Sequence, residues 1–371
     1  MIQLRTRTEY SFRKAYGRIN DVIDSCPEKS LGIADSGTWG HVAFSKACKK
    51  AGKKPLFGAE IAVVEDAKER SKQPANYMAF IAKNNDGLSE IYDLVTKSTA
   101  KDNFYYFPRM SYEDLFDVSE NVIMISGTHP EWGLLPLSKK ENLYIEINPM
   151  SSPKALEFCK QKGFKPVATS DNYYPRVGER KAYEVLVGMN RMERTKPMHL
   201  LTDWEILDCI PWMPKEAIEN TYKISDMCEV DLPVAQMISF SPDKTLEQMC
   251  IEGAKERNID LSDPTYKDRL RREIDMIAMK KFEDYFYVIA DMISYAKKHM
   301  LVGPARGSSA GSLVCYLTGI TDVDPLKFDL LFERFIDVTR EDLPDIDIDF
   351  QDDRREMVFQ YLRDKYGAEK V

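Results

Sequence analysis

The sequence predicts an α/β protein, with a largely parallel sheet or barrel over roughly its first 175 residues and a mainly helical region after it. Three observations carry this. Short apolar runs rich in Val and Ile alternate with helix-length segments up to about residue 175, the pattern of strand–helix units that build parallel sheets. From about 176 to 300 the apolar residues recur at helical spacing instead. The composition, 43% hydrophobic and 30% charged over 371 residues, is that of a globular chain with room for two or three domains.

In chain order, "KSLGIADSG" is a strand ending at Asp35, and "HVAFSKACKKAGKK" a helix closing at Gly52. "PLFGAEIAVVE" and "YMAFIAK" are strands, and "DGLSEIYDLVTKST" is a helix. "NVIMISG", "NLYIEINP" and "KPVATSDNYY" are further strands, with the helix "SPKALEFCKQKG" before the last. In α/β folds the strands' C-terminal ends build the site, and Asp35, Glu60 and Asp171 are placed near such ends. Beyond 240, "SPDKTLEQMCIEGAKERNI" reads as a helix capped at Ser241 and Pro242. "YKDRLRREIDMIAMKKF" carries a core stripe of Leu270, Ile274 and Ile277, and "DYFYVIADMISYAKKHM" one of Val288, Met292 and Tyr295. The irregular, proline-bearing stretch 229–244 is the linker candidate.

Several function classes are disfavoured. No apolar run approaches the roughly 20 residues of a membrane span, and the N-terminus has no apolar signal core. Seven scattered cysteines without a CxxC pair fit reduced thiols, and so a cytoplasmic protein, better than disulfides or zinc. The four histidines, His41, His129, His199 and His299, have no ligand-spaced neighbours. A net charge of −8 gives no bulk attraction for nucleic acid, so such contacts need a local basic patch.

Two stretches carry chemistry. In "LPDIDIDFQDDRR", Asp345, Asp347 and Asp349 alternate with Ile346, Ile348 and Phe350. On a strand this puts three carboxylates on one face and the apolar residues on the other. The pattern serves a solvated polar face or a site for a hard divalent cation such as Mg²⁺. In "VGPARGSSAGSLVCYLTGI", Gly303, Gly307 and Gly311 punctuate a Gly/Ser turn with Arg306, Ser308, Ser309 and Ser312, entering a buried helix. Such a turn is an ordinary tight turn or an anion cradle, with free backbone N–H groups and an arginine for phosphate oxygens. Cradle and carboxylates in this order are what two-metal phosphoryl transfer requires.

The stretch from "RREIDMIAMKKF" through "RGSSAGSL", "GITDVDPL", "LLFERF" and "PDIDIDF" resembles the palm of the C-family bacterial replicative DNA polymerases, the alpha subunits of DNA polymerase III. The resemblance implies a DNA-directed DNA polymerase, a nucleotidyltransferase of DNA replication that uses Mg²⁺. It implies Asp345 and Asp347 as metal-binding catalytic carboxylates, with Asp349 a weaker third. It implies Arg306, Gly307, Ser308, Ser309 and Arg334 around the incoming triphosphate. Implied partners are primer–template DNA, deoxynucleoside triphosphates, a sliding clamp or other replication proteins, and the rest of the polymerase, as a separate chain if the enzyme is split.

The N-terminal part, through "LRTRTEYSF", "LGIADSGTWGHVAFSKACKKAGKKPLFGAEIAV", "YIEINP" and "VATSDNYY", is similar to the PHP domain that precedes this palm. That implies an irregular (β/α) barrel with a metal cluster at its mouth. "HLLTDWEIL" and "EAIENTYKISDMCEVDL" resemble the connector. The division is then 1–235, a PHP-like domain with a helical connector, and 236–371, the first part of an α+β nucleotidyltransferase-like palm. The cluster departs from the pattern. Gln3, Arg5, Arg7, Ser36 and Tyr173 stand where active members place histidines, leaving Asp35, Glu60 and Asp171. A vestigial site without metal, with Arg5 and Arg7 paired to the leftover acids, is the expectation. The family's third palm carboxylate and lysine lie on later strands, which "DKYGAEKV" precedes, so a truncated or split polymerase with an incomplete site is expected. The other readings are a PHP-type metal-dependent phosphoesterase and a non-catalytic assembly module.

Overall fold

The computed structural model describes residues 1–188, 196–233, 242–339 and 343–368. The chain forms two compact units, Met1–Val234 and Ala235–Val371. Of the linker stretch 229–244, residues 234–241 lie outside the described residues, Ser241 among them. Among the described residues no helix is long and apolar enough to cross a membrane.

The first unit runs α1 (Ile19–Asp24), β1 (Ser30–Asp35), α2 (His41–Lys50), β2 (Lys54–Val64), β3 (Asn76–Ala82), α3 (Asn85–Thr99), β4 (Arg109–Ser111), β5 (Val122–Ile125), β6 (Leu143–Ile147), α4 (Lys154–Lys162), β7 (Lys165–Ala168), α5 (Arg180–Val187), α6 (Asp203–Cys209) and α7 (Lys215–Met227). The sheet order is β1-β2-β3-β5-β6-β7, with β4 on β2. Pairing is parallel except at β3, which is antiparallel to both neighbours. Both faces are buried. Alternate residues pack outward against helices (Ile33, Phe57, Phe80, Met124, Ile145) and inward (Ala34, Leu56, Ile81, Ile125, Tyr144), as the two-fold strand period requires.

The sheet's two edges are bridged by the N-terminal arm, whose residues 1–8 are all buried. Gln3 and Thr6 carbonyls accept from Gly32 and Ala34 of β1 at 2.7 and 2.8 Å. On the other side Arg7 N donates to Asn172 Oδ1 (3.1 Å) and Gln3 Nε2 to the Leu201 carbonyl (2.7 Å), while Ser170 Oγ donates to Gln3 Oε1 (2.8 Å). The arm lies so close to β1 that a Cβ at Gly32 would stand 2.3 Å from the Leu4 carbonyl oxygen. The result is the irregular barrel expected, closed by side chains as much as by backbone.

The second unit consists of α8 (Leu246–Glu256), α9 (Pro264–Lys280), α10 (Glu283–His299), α11 (Leu313–Leu317) and α12 (Arg355–Tyr366). The buried α11 packs against α8 and α9 in a core with Leu270, Ile277, Phe286 and Ile293. Three expectations are corrected here. Helix α8 starts later than Ser241 and Pro242, because Thr245 caps it in a reciprocal pair with Gln248. The fully buried face of α10 is Phe286, Tyr287, Ala290, Ile293 and Ala296, with Val288, Met292 and Tyr295 half-buried. The helix packs on more than one neighbour, as Tyr295 stacks on Tyr361 of α12 at 3.9 Å. The third concerns the acidic stretch. The expected alternation is present, with Asp345, Asp347 and Asp349 exposed and Ile346, Ile348 and Phe350 half-buried. No ladder forms along it, however, since among the described residues pairing is confined to its end. Phe350 bridges Val302, Gly303 N donates to the Asp349 carbonyl (2.8 Å) and Gln351 N to that of Leu301 (3.3 Å).

Candidate functional site

The inner face of the first unit is apolar at one end and charged at the other. On β2 the inward positions run Leu56, Gly58, Glu60, and on β6 Tyr144, Glu146, so each strand carries one buried carboxylate in its apolar row. The arm brings Arg5 and Arg7 to them. Arg5 contacts Glu60 (2.5 Å) and grips both oxygens of Glu146 (2.8 and 2.6 Å). Arg7 contacts Glu60, with Nε at 3.0 Å, and its Nη1 lies 2.8 Å from Asp171 Oδ1. That last N–H points off the oxygen, leaving Asp171 Oδ1 without an aligned hydrogen bond, so the contact is one of charge. Lys14 also reaches Glu60 and lies 3.6 Å over the Tyr77 ring. Asp35 stands apart, accepting from Thr8 N (2.7 Å), Thr8 Oγ1 (2.7 Å) and Ser11 Oγ (2.5 Å).

The electrostatics follow from burial. Burial alone raises a carboxyl's pKa, but Arg7, Lys14 and Arg5 overcome it and hold Glu60 well below the usual range. Asp171 is likewise lowered against its burial by Arg7 and Arg5. Asp35 has no cation partner among the described residues, and burial leaves it raised. Burial pushes Lys14 down to about 8. Asp35 ends β1 and Asp171 follows β7 with a left-handed backbone (φ 47°), which Asp tolerates better than most residues. Glu60 lies in mid-strand rather than at a C-terminal end, because β2 runs on to pair with β4. The expected pairing of Arg5 and Arg7 with the leftover acids is present at Glu60 and Asp171 and fails at Asp35, which hydroxyl and backbone donors satisfy instead. Lys14 and Glu146 were missed, although a lone charge in "LYIEI" was a visible signal for Glu146.

In the second unit the Gly/Ser turn and the acidic stretch meet. Gly307 (φ 64°) faces Asp347 so closely that a Cβ there would stand 2.7 Å from Asp347 Oδ2. Arg306 pairs with Asp349 at 2.9 Å, both exposed. The turn itself is one of 3-10 type, Gly307–Gly311. Ser308 is half-buried, whereas Ser309 is buried with its hydroxyl donating to the Arg306 carbonyl (2.9 Å), so Ser309 frames the turn. Arg334 is exposed on the 3-10 turn Phe332–Arg334. One expectation is corrected. The backbone N–H groups at the start of α11 are not free, since those of Leu313 and Val314 donate to the buried Glu273 carboxylate at 3.0 Å. Anion-binding capacity is left to the turn ahead of the helix.

Among the described residues no group of three or more His, Cys, Asp or Glu could hold a metal ion. Magnesium, however, is commonly held by one or two carboxylates together with phosphate oxygens. Asp345 and Asp347 are exposed and make no ion pair among the described residues, so they fit that requirement.

Comparison with known proteins assigns the class. The model of the PHP domain family matches residues 3–144, and that of the bacterial DNA polymerase III alpha NTPase domain matches 244–371. The chain belongs to the family of bacterial DNA polymerase III alpha subunits, as a PHP domain followed by part of the polymerase module. Among its relatives it is 31% identical to DNA polymerase III subunit alpha of Bacillus subtilis, covering 100% of this chain and 36% of that protein. The subunit of Aquifex aeolicus is 30% identical over 100% of this chain and 38% of its own length. The chain thus spans somewhat more than a third of these relatives. Of solved structures, an amidohydrolase from Chromobacterium violaceum with bound sulfate and no metal is similar at a TM-score of 0.32. It is 14% identical over 47% of this chain and 88% of that one.

Proposed function

We propose that the second unit is the nucleotide-gripping part of a DNA-directed DNA polymerase, and the first unit a structural scaffold whose metal site has been filled by arginine. The observation that carries the first half is the meeting of Gly307 with Asp347, which sets an anion-accepting turn against carboxylates that make no ion pair among the described residues. A triphosphate entering this place meets Arg306, the turn's N–H groups and Arg334 from one side and is repelled by Asp345 and Asp347 from the other. A Mg²⁺ ion held by Asp345 and Asp347 would shield that repulsion and polarise a phosphoryl oxygen. Arg306 changes partner, leaving Asp349 for phosphate. In the complete protein the acceptor is the primer end on template DNA, and the replication partners are those of the family. A phosphoesterase reading of the first unit finds no support, because Arg5, Arg7 and Lys14 already occupy its carboxylates.

The test is titration of the chain with fluorescent dATP. Binding should require Mg²⁺ and vanish with chelator, and Arg306→Ala should weaken it at least about tenfold, as loss of a charged hydrogen bond does. Asp345→Asn and Asp347→Asn should remove the Mg²⁺ dependence while changing stability by less than about 0.5 kcal/mol, since both side chains are exposed. Binding that ignores Mg²⁺ in the wild type, or Mg²⁺ dependence that survives in both variants, refutes the proposal.

A further inference from the structure

Helix α9 carries a charged pair into the apolar core of the second unit. Glu273 is fully buried beside Leu270 and Ile277. Its carboxylate accepts from Ser312 Oγ (2.8 Å), Leu313 N (3.0 Å), Val314 N (3.0 Å) and Arg269 Nε (2.6 Å). Arg269, one turn earlier, turns its other end to two backbones. Its Nη2 donates to the carbonyls of Gly311 (2.7 Å) and Leu330 (3.0 Å). From the same face Arg272 reaches Glu333 at 3.2 Å.

These contacts join two loops well separated in sequence. One is the exit of the Gly/Ser turn, and the other leads into Phe332–Arg334. The loops touch, since a Cβ at Gly311 would stand 2.7 Å from the Leu331 carbonyl oxygen. No β-ladder fixes this spacing among the described residues. Ordinary apolar packing would hold the loops near each other without setting their register. A planar guanidinium with fixed donor directions does set it, and a carboxylate with four donors fixes the start of α11 in turn. A solvated face cannot explain a fully buried glutamate on an apolar stripe, which needs such partners.

We propose that Arg269 and Glu273 are positioning residues for the nucleotide grip, one buried charge pair setting the distance between the turn that presents Arg306 and the loop that presents Arg334. The role rests on the triphosphate reading above, while the clamp itself is a matter of geometry, so two measurements separate them. Arg269→Lys keeps the charge opposite Glu273 but cannot fork across two carbonyls. Glu273→Gln keeps the shape but turns an amide toward N–H donors. Hydrogen–deuterium exchange on the full chain should rise in both variants over 306–312 and over 330–335 together. A rise in one segment only, or in neither, overturns the clamp. Mg²⁺-dependent dATP binding should weaken at least about tenfold, as when one charged hydrogen bond to the ligand is lost. Ile277→Val, a core change on the same helix, should lower stability and leave dATP affinity unchanged. Wild-type affinity in both charge variants overturns the positioning role. A wild-type chain that binds no dATP overturns the triphosphate reading, and exchange alone then decides the clamp.

Discussion

Glu60, Glu146 and Asp171 in the first unit are buried and met by three protein cations, Arg5, Arg7 and Lys14, whereas Asp345, Asp347 and Asp349 in the second are exposed and, among the described residues, only Asp349 has one. The difference follows from solvent. A buried carboxylate without a partner costs several kcal/mol, so the first cluster must balance itself and has no capacity left for an outside cation. Exposed carboxylates cost little to leave unpaired, because water screens them. Charge that the fold need not neutralise is charge a ligand can use.

The sharpest break of this contrast is Arg7→Met. It removes a partner of both Glu60 and Asp171, and should destabilise the first unit by about 3–5 kcal/mol, the usual cost of breaking a buried pair. Urea unfolding measures it, and a loss below about 1 kcal/mol would show that the cluster is not compact. Next comes pH. Lys14 is lowered in the fold from 10.5 to about 8, so between these values the unfolded chain holds the extra proton and stability rises with pH. Relative to Lys14→Met, the wild type should gain on the order of 3 kcal/mol at most from pH 7 to 11, each tenfold in proton affinity being about 1.4 kcal/mol. A gain on lowering the pH instead would contradict the burial that causes the shift. The smallest effect belongs to the exposed side. Asp349→Asn frees Arg306, and should tighten Mg²⁺-dependent dATP binding by a few-fold while leaving the unfolding midpoint unchanged. Weaker binding would make Asp349 a third metal ligand.

Much of this was legible beforehand. Runs such as "PLFGAEIAVVE" and "NVIMISG" announce strands because both sheet faces are buried, and the Asp/Ile alternation announced its two faces correctly. What pattern cannot show is a partner across the chain. The acidic stretch has strand periodicity but only one bridged residue, because a ladder needs a second backbone. β4, three residues long, and Lys14, on an irregular arm, have no period to read. Glu273 left a trace as a charge on the stripe of Leu270 and Ile277, yet three of its four donors come from a turn some forty residues later. Stripe reading on α10 fell one position aside because two neighbours share that helix.

The arm that closes the barrel also sets an order of events during synthesis. Residues 3–8 leave the ribosome well before their seat, which includes Glu146, Ser170, Asp171, Asn172 and Leu201. At about 5–20 residues per second, the arm waits on the order of 10 to 40 s for them. Contacts so distant in sequence are slow to form, so the first unit cannot be completed strand by strand as it emerges. Two arginines travel with the nascent chain in water, and they enter the interior only when the last of their partners has been made.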